Sequence, residues 1–249
     1  MASFHVEGDF KLPKVPMTTD NELANNLAKP LSSIRSGSLV VICGAAGSGK
    51  SSALINMFIM HRCPKTKQKR NLKKCFHNIF VVSPSMGSFK NNIFAHLIEN
   101  YRFDNLVDFL DQYEDMIDTD EEETAIIFDD VGAQLRSKDA YARFQKLVHN
   151  RRHKHLTIFV LVQNLTMLSP AVRDSMNMLI CFKPKTWQEK ERVYELTGLP
   201  KKHMDDFFAT VYKQKFDSVL VDMSLKNSND FIFYRNIFNP IHIITGENA

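Results

Sequence analysis

Five stretches of the chain are almost wholly apolar: residues 39–43, 78–82, 124–128, 156–162 and 178–182. A short run of this kind predicts a strand buried on both faces, because neither side has to meet water. Between the runs, apolar positions return at helical spacing. Leu54, Ile55, Met57, Phe58 and Met60 share one broad face, and Tyr141, Phe144, Leu147 and Val148 share another. Residues 88–117 follow the same period and predict two helices, broken near Phe103-Asp104-Asn105. Residues 186–196 and 201–211 predict two more, and Ser169-Pro170 reads as an N-cap followed by proline at the first helical position. Residues 216–221 and 231–234 alternate, which predicts a terminal hairpin or edge strands. Residues 1–37, with Pro13, Pro16 and Pro30, predict an arm and an irregular lead-in. The chain thus divides into an arm (1–37), a core (38–215) and C-terminal strands that complete or edge it (216–249). Strands alternating with helices predict an α/β fold, a mostly parallel sheet covered by helices on both faces.

The first apolar run, Leu39 to Cys43, leads directly into Gly44-Ala45-Ala46-Gly47-Ser48-Gly49-Lys50-Ser51. This is the P-loop pattern G-x-x-x-x-G-K-[ST] in its required setting, after a strand and before a helix. The glycines let backbone N–H groups line a concave nest, and the helix start adds unpaired N–H groups with a partial positive charge. The pattern implies a nucleoside triphosphate site. Lys50 would reach the β- and γ-phosphates, Ser51 would be a ligand to Mg²⁺, and Ser52 continues the phosphate-facing stretch.

The third run ends in Phe128-Asp129-Asp130, where a Walker B motif belongs. Asp129 would hold Mg²⁺ at the carboxyl end of its strand, and Asp130 would act as base towards an attacking water. The bland alternative is a pair of aspartates in an acidic turn. The next run ends in Gln163; in P-loop ATPases with an extra strand between the P-loop and Walker B strands, a polar residue at that place senses the γ-phosphate, and Gln163 is the candidate for it. Hydrolysis at such sites also draws on an arginine, for which Arg151, Arg152 and Arg173 are the candidates. Arg151 and Arg152 equally suit the end of a helix, where cations meet its dipole.

Composition adds bounds. Apolar residues make up 44% and charged ones 24% of 249 residues, enough for one substantial α/β core. No run is long enough to span a bilayer and no signal-peptide pattern opens the chain, so a soluble protein inside a cell is expected. The net charge of +4 decides little, but Arg62, Lys65, Lys67, Lys69, Arg70, Lys73 and Lys74 crowd one stretch. That run suits either a nucleic-acid contact or a solvated loop. His61, Cys63, Cys75 and His77 bracket it and could form a Cys₂His₂ zinc site, although the spacing departs from the usual pattern.

These residues, in this order, resemble one family. The P-loop, Phe128-Asp129-Asp130, Arg152-His153 before an apolar strand ending in Gln163, and Ser169-Pro170-x-x-Arg173 are similar to the genome-packaging ATPases of large double-stranded DNA viruses and virophages. These form the poxvirus-type branch of the FtsK–HerA superfamily, and the resemblance covers roughly residues 38–183. It implies an ATPase using ATP and Mg²⁺, with Lys50, Asp130, Gln163, Arg152 and Arg173 in catalysis and Ser51 and Asp129 on the metal. It also implies a pentameric or hexameric ring that moves double-stranded DNA into a capsid, partners at the capsid or portal vertex, and a place in the host cytoplasm, at the viral factory, and in the virion. Two departures bear on the roles: Asp130 stands where many members carry Glu, and Arg151 adds a second arginine beside Arg152. A P-loop nucleotide kinase and a nucleotide-gated assembly protein with slow turnover are the competing readings.

Overall fold

A computed structural model describes residues 3–6, 30–34, 36–59, 71–84, 101–116, 122–223 and 233–244. The five apolar runs are strands β2 (Leu39–Cys43), β3 (Asn78–Val82), β5 (Thr124–Asp129), β6 (Leu156–Val162) and β7 (Met178–Phe182). With β4 (Tyr101–Phe103) they form six parallel strands in the order β4-β3-β5-β6-β2-β7. Strand β6 therefore separates the P-loop strand from the strand that ends in Asp129. Beyond β7 the same sheet continues antiparallel through β8 (Ser218–Asp222), β9 (Phe233–Arg235), β10 (Asn239–Ile244) and β1 (Ser3–Val6).

Every residue of β2 and β6 is buried, as their unbroken apolar character requires. Successive side chains face opposite layers: Leu39, Val41 and Cys43 join one core, Val40 and Ile42 the other. Helix α1 (Lys50–Ile59) and the 3₁₀ turn Leu72–Cys75 cover the second face. Helices α2 (Leu106–Met116), α3 (Lys138–Asn150), α4 (Pro170–Asp174), α5 (Trp187–Glu195) and α6 (Met204–Val211) cover the first. Phe144, fully buried on α3, packs edge-on against Phe128 with ring centroids 5.3 Å apart, and so holds the Walker B strand from below. Among the described residues, no helix is long and apolar enough to cross a membrane.

The helix starts follow local chemistry. Ser169 Oγ accepts from Val172 N with Pro170 at the first helical position, as its sequence predicts. Thr186 and Glu189 form a reciprocal capping box on α5.

Three expectations change. Residues 101–103, within the stretch read as helical, form β4. Their backbone groups pair with β3, and α2 begins only after Asn105, whose side chain accepts from Val107 N. The other helix expected before residue 103 falls outside the described residues. Strand β8 begins at Ser218, leaving Phe216 in the turn before it. Strands β1 and β10 add to the sheet where the sequence shows no clean alternation; Pro240 and His242 interrupt β10, and β1 is held by pairing with β10.

Candidate active site

The carboxyl ends of β5, β6, β2 and β7 lie side by side, and the residues that follow them form the site. Cys43 is in register with Val162 and Cys181, and Asp129 with Leu161. Gly44 N donates to Val162 O at 3.1 Å, which ties the P-loop to the strand that ends in Gln163. Two glycines are sterically required. A Cβ on Gly44 would stand 2.7 Å from Ser48 Oγ and 2.8 Å from Phe182 Cβ, and Gly49 has φ +102°. Ala45 O accepts from Ser48 N and closes the turn around Ala46 and Gly47.

Lys50 and Ser51 open α1. The Lys50 ammonium donates to Gly44 O at 2.7 Å and Ala45 O at 3.1 Å, so it sits folded over the loop it serves. Burial lowers its pKa, while Asp129 nearby works the other way. The Asp129 carboxyl is pushed up to about 6, first by burial and then by Asp130, against the opposing pull of Lys50. Two neighbouring carboxylates facing one cation form a site deficient in positive charge. With the Ser51 hydroxyl, Asp129 offers the hard oxygen donors that suit Mg²⁺.

Asp130 has left-handed backbone angles, φ 55° and ψ 29°, at the start of the 3₁₀ helix Val131–Arg136. Aspartate tolerates this region better than most residues, yet the conformation is one that functional sites often hold against strain. The turn leaves the Asp130 side chain exposed, and its Oδ1 accepts from Gln163 Nε2 at 3.1 Å. The acid and the sensor candidate are thus hydrogen-bonded to one another, a contact that sequence separation conceals.

The three arginines part company. Arg151 is buried: it donates to Val148 O and Ser175 O, both at 2.7 Å, and more weakly to Asn177 Oδ1. Burial, then the neighbouring Arg152, brings its pKa down to about 10. It caps the end of α3 and ties it to the start of β7. Arg152 is exposed and stands where α3 gives way to β6, with its backbone close against Gly37. That is the amino edge of the sheet; seven residues of β6, roughly 23 Å at strand rise, separate it from the P-loop edge. Arg173 lies on α4, beside Arg192 and Glu195 of α5 in a pocket floored by Leu165. Neither arginine joins Lys50, Asp129, Asp130 and Gln163.

Sequence reasoning passed over a second polar pair at this edge. Asn164 Nδ2 donates to Glu189 Oε1 at 2.9 Å, linking the residue after the sensor to the capping box of α5. Its signal was present as Thr186-x-x-Glu189. The same helix places Arg192 in a cleft with Gly44 and Gln163.

At the zinc candidates, Cys75 is buried and directs its thiol at Asn71 O, and His77 Nδ1 accepts from Glu123 N at 3.1 Å. His61, Cys63 and the basic residues 62–70 lie outside the described residues, among which no cluster of three His, Cys, Asp or Glu side chains could hold a metal.

Comparison with solved structures places this fold beside three proteins. The DNA-packaging ATPase B204 of Sulfolobus turreted icosahedral virus superposes with TM-score 0.59 at 14% identity, over 84% of this chain and 100% of that one. The genome-packaging NTPase B204 of Sulfolobus turreted icosahedral virus 2, in complex with ATPγS, gives 0.50 at 14% identity, over 84% and 98%. The pCW3 conjugation coupling protein TcpA, with ATPγS, gives 0.53 at 10% identity, over 82% and 60%. No curated protein sequence matches the chain. The family model for the poxvirus A32 protein matches residues 32–203, a span from the lead-in of β2 past α5 that takes in the P-loop, both aspartates, Gln163 and all three arginines. The poxvirus-type resemblance read from the sequence and this match agree: the chain belongs to the poxvirus A32 protein family.

Proposed function

We propose that this chain is an ATP-hydrolysing double-stranded DNA translocase that packages a viral genome into a capsid. The observation that carries the ATPase half is the Gln163–Asp130 hydrogen bond beside the P-loop and Asp129. The packaging half is carried over from the DNA-packaging ATPase B204, whose fold this chain shares, together with the match to the poxvirus A32 protein family.

In this reading the loop Gly44 to Ser51 cradles the triphosphate, and Lys50 exchanges its two carbonyl partners for the β- and γ-phosphates. Mg²⁺ on Ser51 and Asp129 would supply charge neutralisation at the transferring phosphoryl group. Asp130 takes the proton of the attacking water, and Gln163 orients Asp130 and senses whether the γ-phosphate is present. A kinase has no need of that second acid and its amide partner. Arg152, too far from its own P-loop, serves the neighbouring subunit in a pentameric or hexameric ring, with Arg173 as the second candidate. DNA in the ring, capsid or portal-vertex partners, and residence at the viral factory and in the virion complete the proposal.

The test is phosphate release from ATP and Mg²⁺ by the purified chain, with and without linear double-stranded DNA. DNA should raise the rate. Asp130→Asn should still bind ATP but lose about two to four powers of ten in turnover, the usual worth of a general base. A wild-type rate in Asp130→Asn would remove Asp130 as base. Slow turnover indifferent to DNA would replace the translocase with a nucleotide-gated assembly protein.

A further inference from the structure

Phe216 is an apolar ring in an unexpected place. It is 58% exposed, and with Trp187 it makes up the exposed large hydrophobic residues among those described. It belongs to the turn between α6 and β8. Because β8 runs antiparallel to β7, with Ser218 opposite Phe182, this turn stands at the carboxyl end of β7, next to the P-loop. The Phe216 ring comes within 3.7 Å of where a Cβ on Gly49 would be, and the Phe182 ring lies at 3.4 Å from the same point.

Between the turn and α1 runs an open groove. Gly49, Ser52, Ala53 and Asn56 form one wall; Gln214 and Phe216 form the other. The Lys215 ammonium lies 5.2 Å from the Phe216 ring centroid. The turn is held in place from beneath. The Asp217 carboxylate, 2% exposed, accepts from Lys213 N, Gln214 N, Arg235 Nη2 and Asn236 Nδ2 at 2.7–2.9 Å. Four hydrogen bonds to one buried carboxylate give a surface turn the order of a core element. An exposed ring gains little from the core, so rigid presentation of Phe216 points to a ligand.

We propose that Phe216 is the platform on which the base of the bound nucleoside triphosphate stacks; this rests on the nucleotide-binding reading of the P-loop. Direction supports it. Asp129 and Gln163 lie on the β5–β6 side of the P-loop strand, where the γ-phosphate belongs, and Phe216 lies on the opposite, β7–β8 side. A triphosphate laid along the loop with its γ end at the acids directs its nucleoside over Ser52 and into the groove. Phe216 also lies beyond residue 203, where the family match ends. Stacking on a flat ring accepts every base, so the platform supplies affinity and not base choice.

The test measures equilibrium binding of ATP, GTP and inorganic tripolyphosphate to the wild-type chain, Phe216→Ala, Phe216→Tyr and Lys50→Ala. Phe216→Ala should weaken ATP and GTP alike by about fivefold or more, the lower end of base–aromatic stacking, and leave tripolyphosphate unchanged. Phe216→Tyr should bind all three as wild type does. Unchanged ATP affinity in Phe216→Ala overturns the platform, and so does equal loss of ATP and tripolyphosphate, which would mark a disturbed loop. If the wild type binds ATP no better than Lys50→Ala, the whole nucleotide site falls, and the platform with it; that outcome is distinct from the loss of Phe216 alone.

Discussion

Asp129 shows how one carboxyl ties stability to function. Burial and the adjacent Asp130 lift it to about 6, above the ordinary aspartate value of 3.8. A raised carboxyl means the folded chain holds a proton that the unfolded chain gives up. Without Mg²⁺ and nucleotide, its contribution to stability is therefore fullest below about pH 4 and is lost as pH rises to about 6 and beyond. The loss is on the order of 3 kcal/mol, since each tenfold change in proton affinity is worth about 1.4 kcal/mol. Chemical denaturation across that range, compared with Asp129→Asn, should show the wild-type slope and a flatter variant. Identical slopes would mean that Asp129 titrates in the folded chain as it does unfolded. The same charge deficit is what a divalent cation would relieve, so the site is less stable alone than it would be loaded.

At the scale of elements, the junction between α3 and β6 divides two adjacent arginines between different tasks. Arg151 is turned inward and satisfies Val148 O in the last turn of α3 and Ser175 O ahead of β7. Arg152 is turned outward. Arg151→Ala leaves the buried Val148 carbonyl and the part-buried Ser175 carbonyl without their charged partner and should destabilise the fold by about 2–3 kcal/mol. Arg152→Ala removes an exposed side chain and should stay within about 0.5 kcal/mol of wild type. Denaturant midpoints of the two variants check this, and comparable destabilisation by both would mean that Arg152 also carries structure. The contrast sets up a clean experiment on Arg152, because its loss can be read as loss of chemistry.

At the scale of the whole molecule, the sheet keeps Arg152 on one edge and the P-loop on the other, about the length of β6 apart. A single chain cannot fold them together, but a ring can set the amino edge of one subunit against the carboxyl edge of the next. An arginine supplied in trans is worth about three to five powers of ten in rate in other P-loop enzymes. Lys50→Ala and Arg152→Ala should each be nearly inactive. Mixed under conditions of subunit exchange, they should regain part of the ATPase activity, because some interfaces then join an intact P-loop to an intact Arg152. No recovery in rings shown to be mixed would move the role to Arg173.

Local signals carried much of this protein. The five buried strands, the P-loop, the two aspartates at the end of β5 and the Ser169-Pro170 cap were legible because each depends on neighbours in sequence: an apolar run, a glycine spacing, a side chain bonding to a nearby amide. The antiparallel edge strand β1 was not, since it draws its order from β10, a pairing partner more than 200 residues away. Strand β4 has three residues and no period of its own, and only β3 makes it extended. The site divides the same way. Sequence named Asp130 and Gln163, but the parallel register of β5 and β6 placed one on the other. Sequence favoured Arg152 by resemblance and left Arg151 as a second arginine beside it, and burial separated the two. Phe216 read as the first residue of a strand, and the hydrogen bonds of Asp217 instead set it in a turn beside Gly49. Composition and spacing determine which elements form and which chemical groups the chain carries, because those follow from the residues themselves. Which groups meet depends on strand order and burial, and these are settled only by contacts between distant parts of the chain.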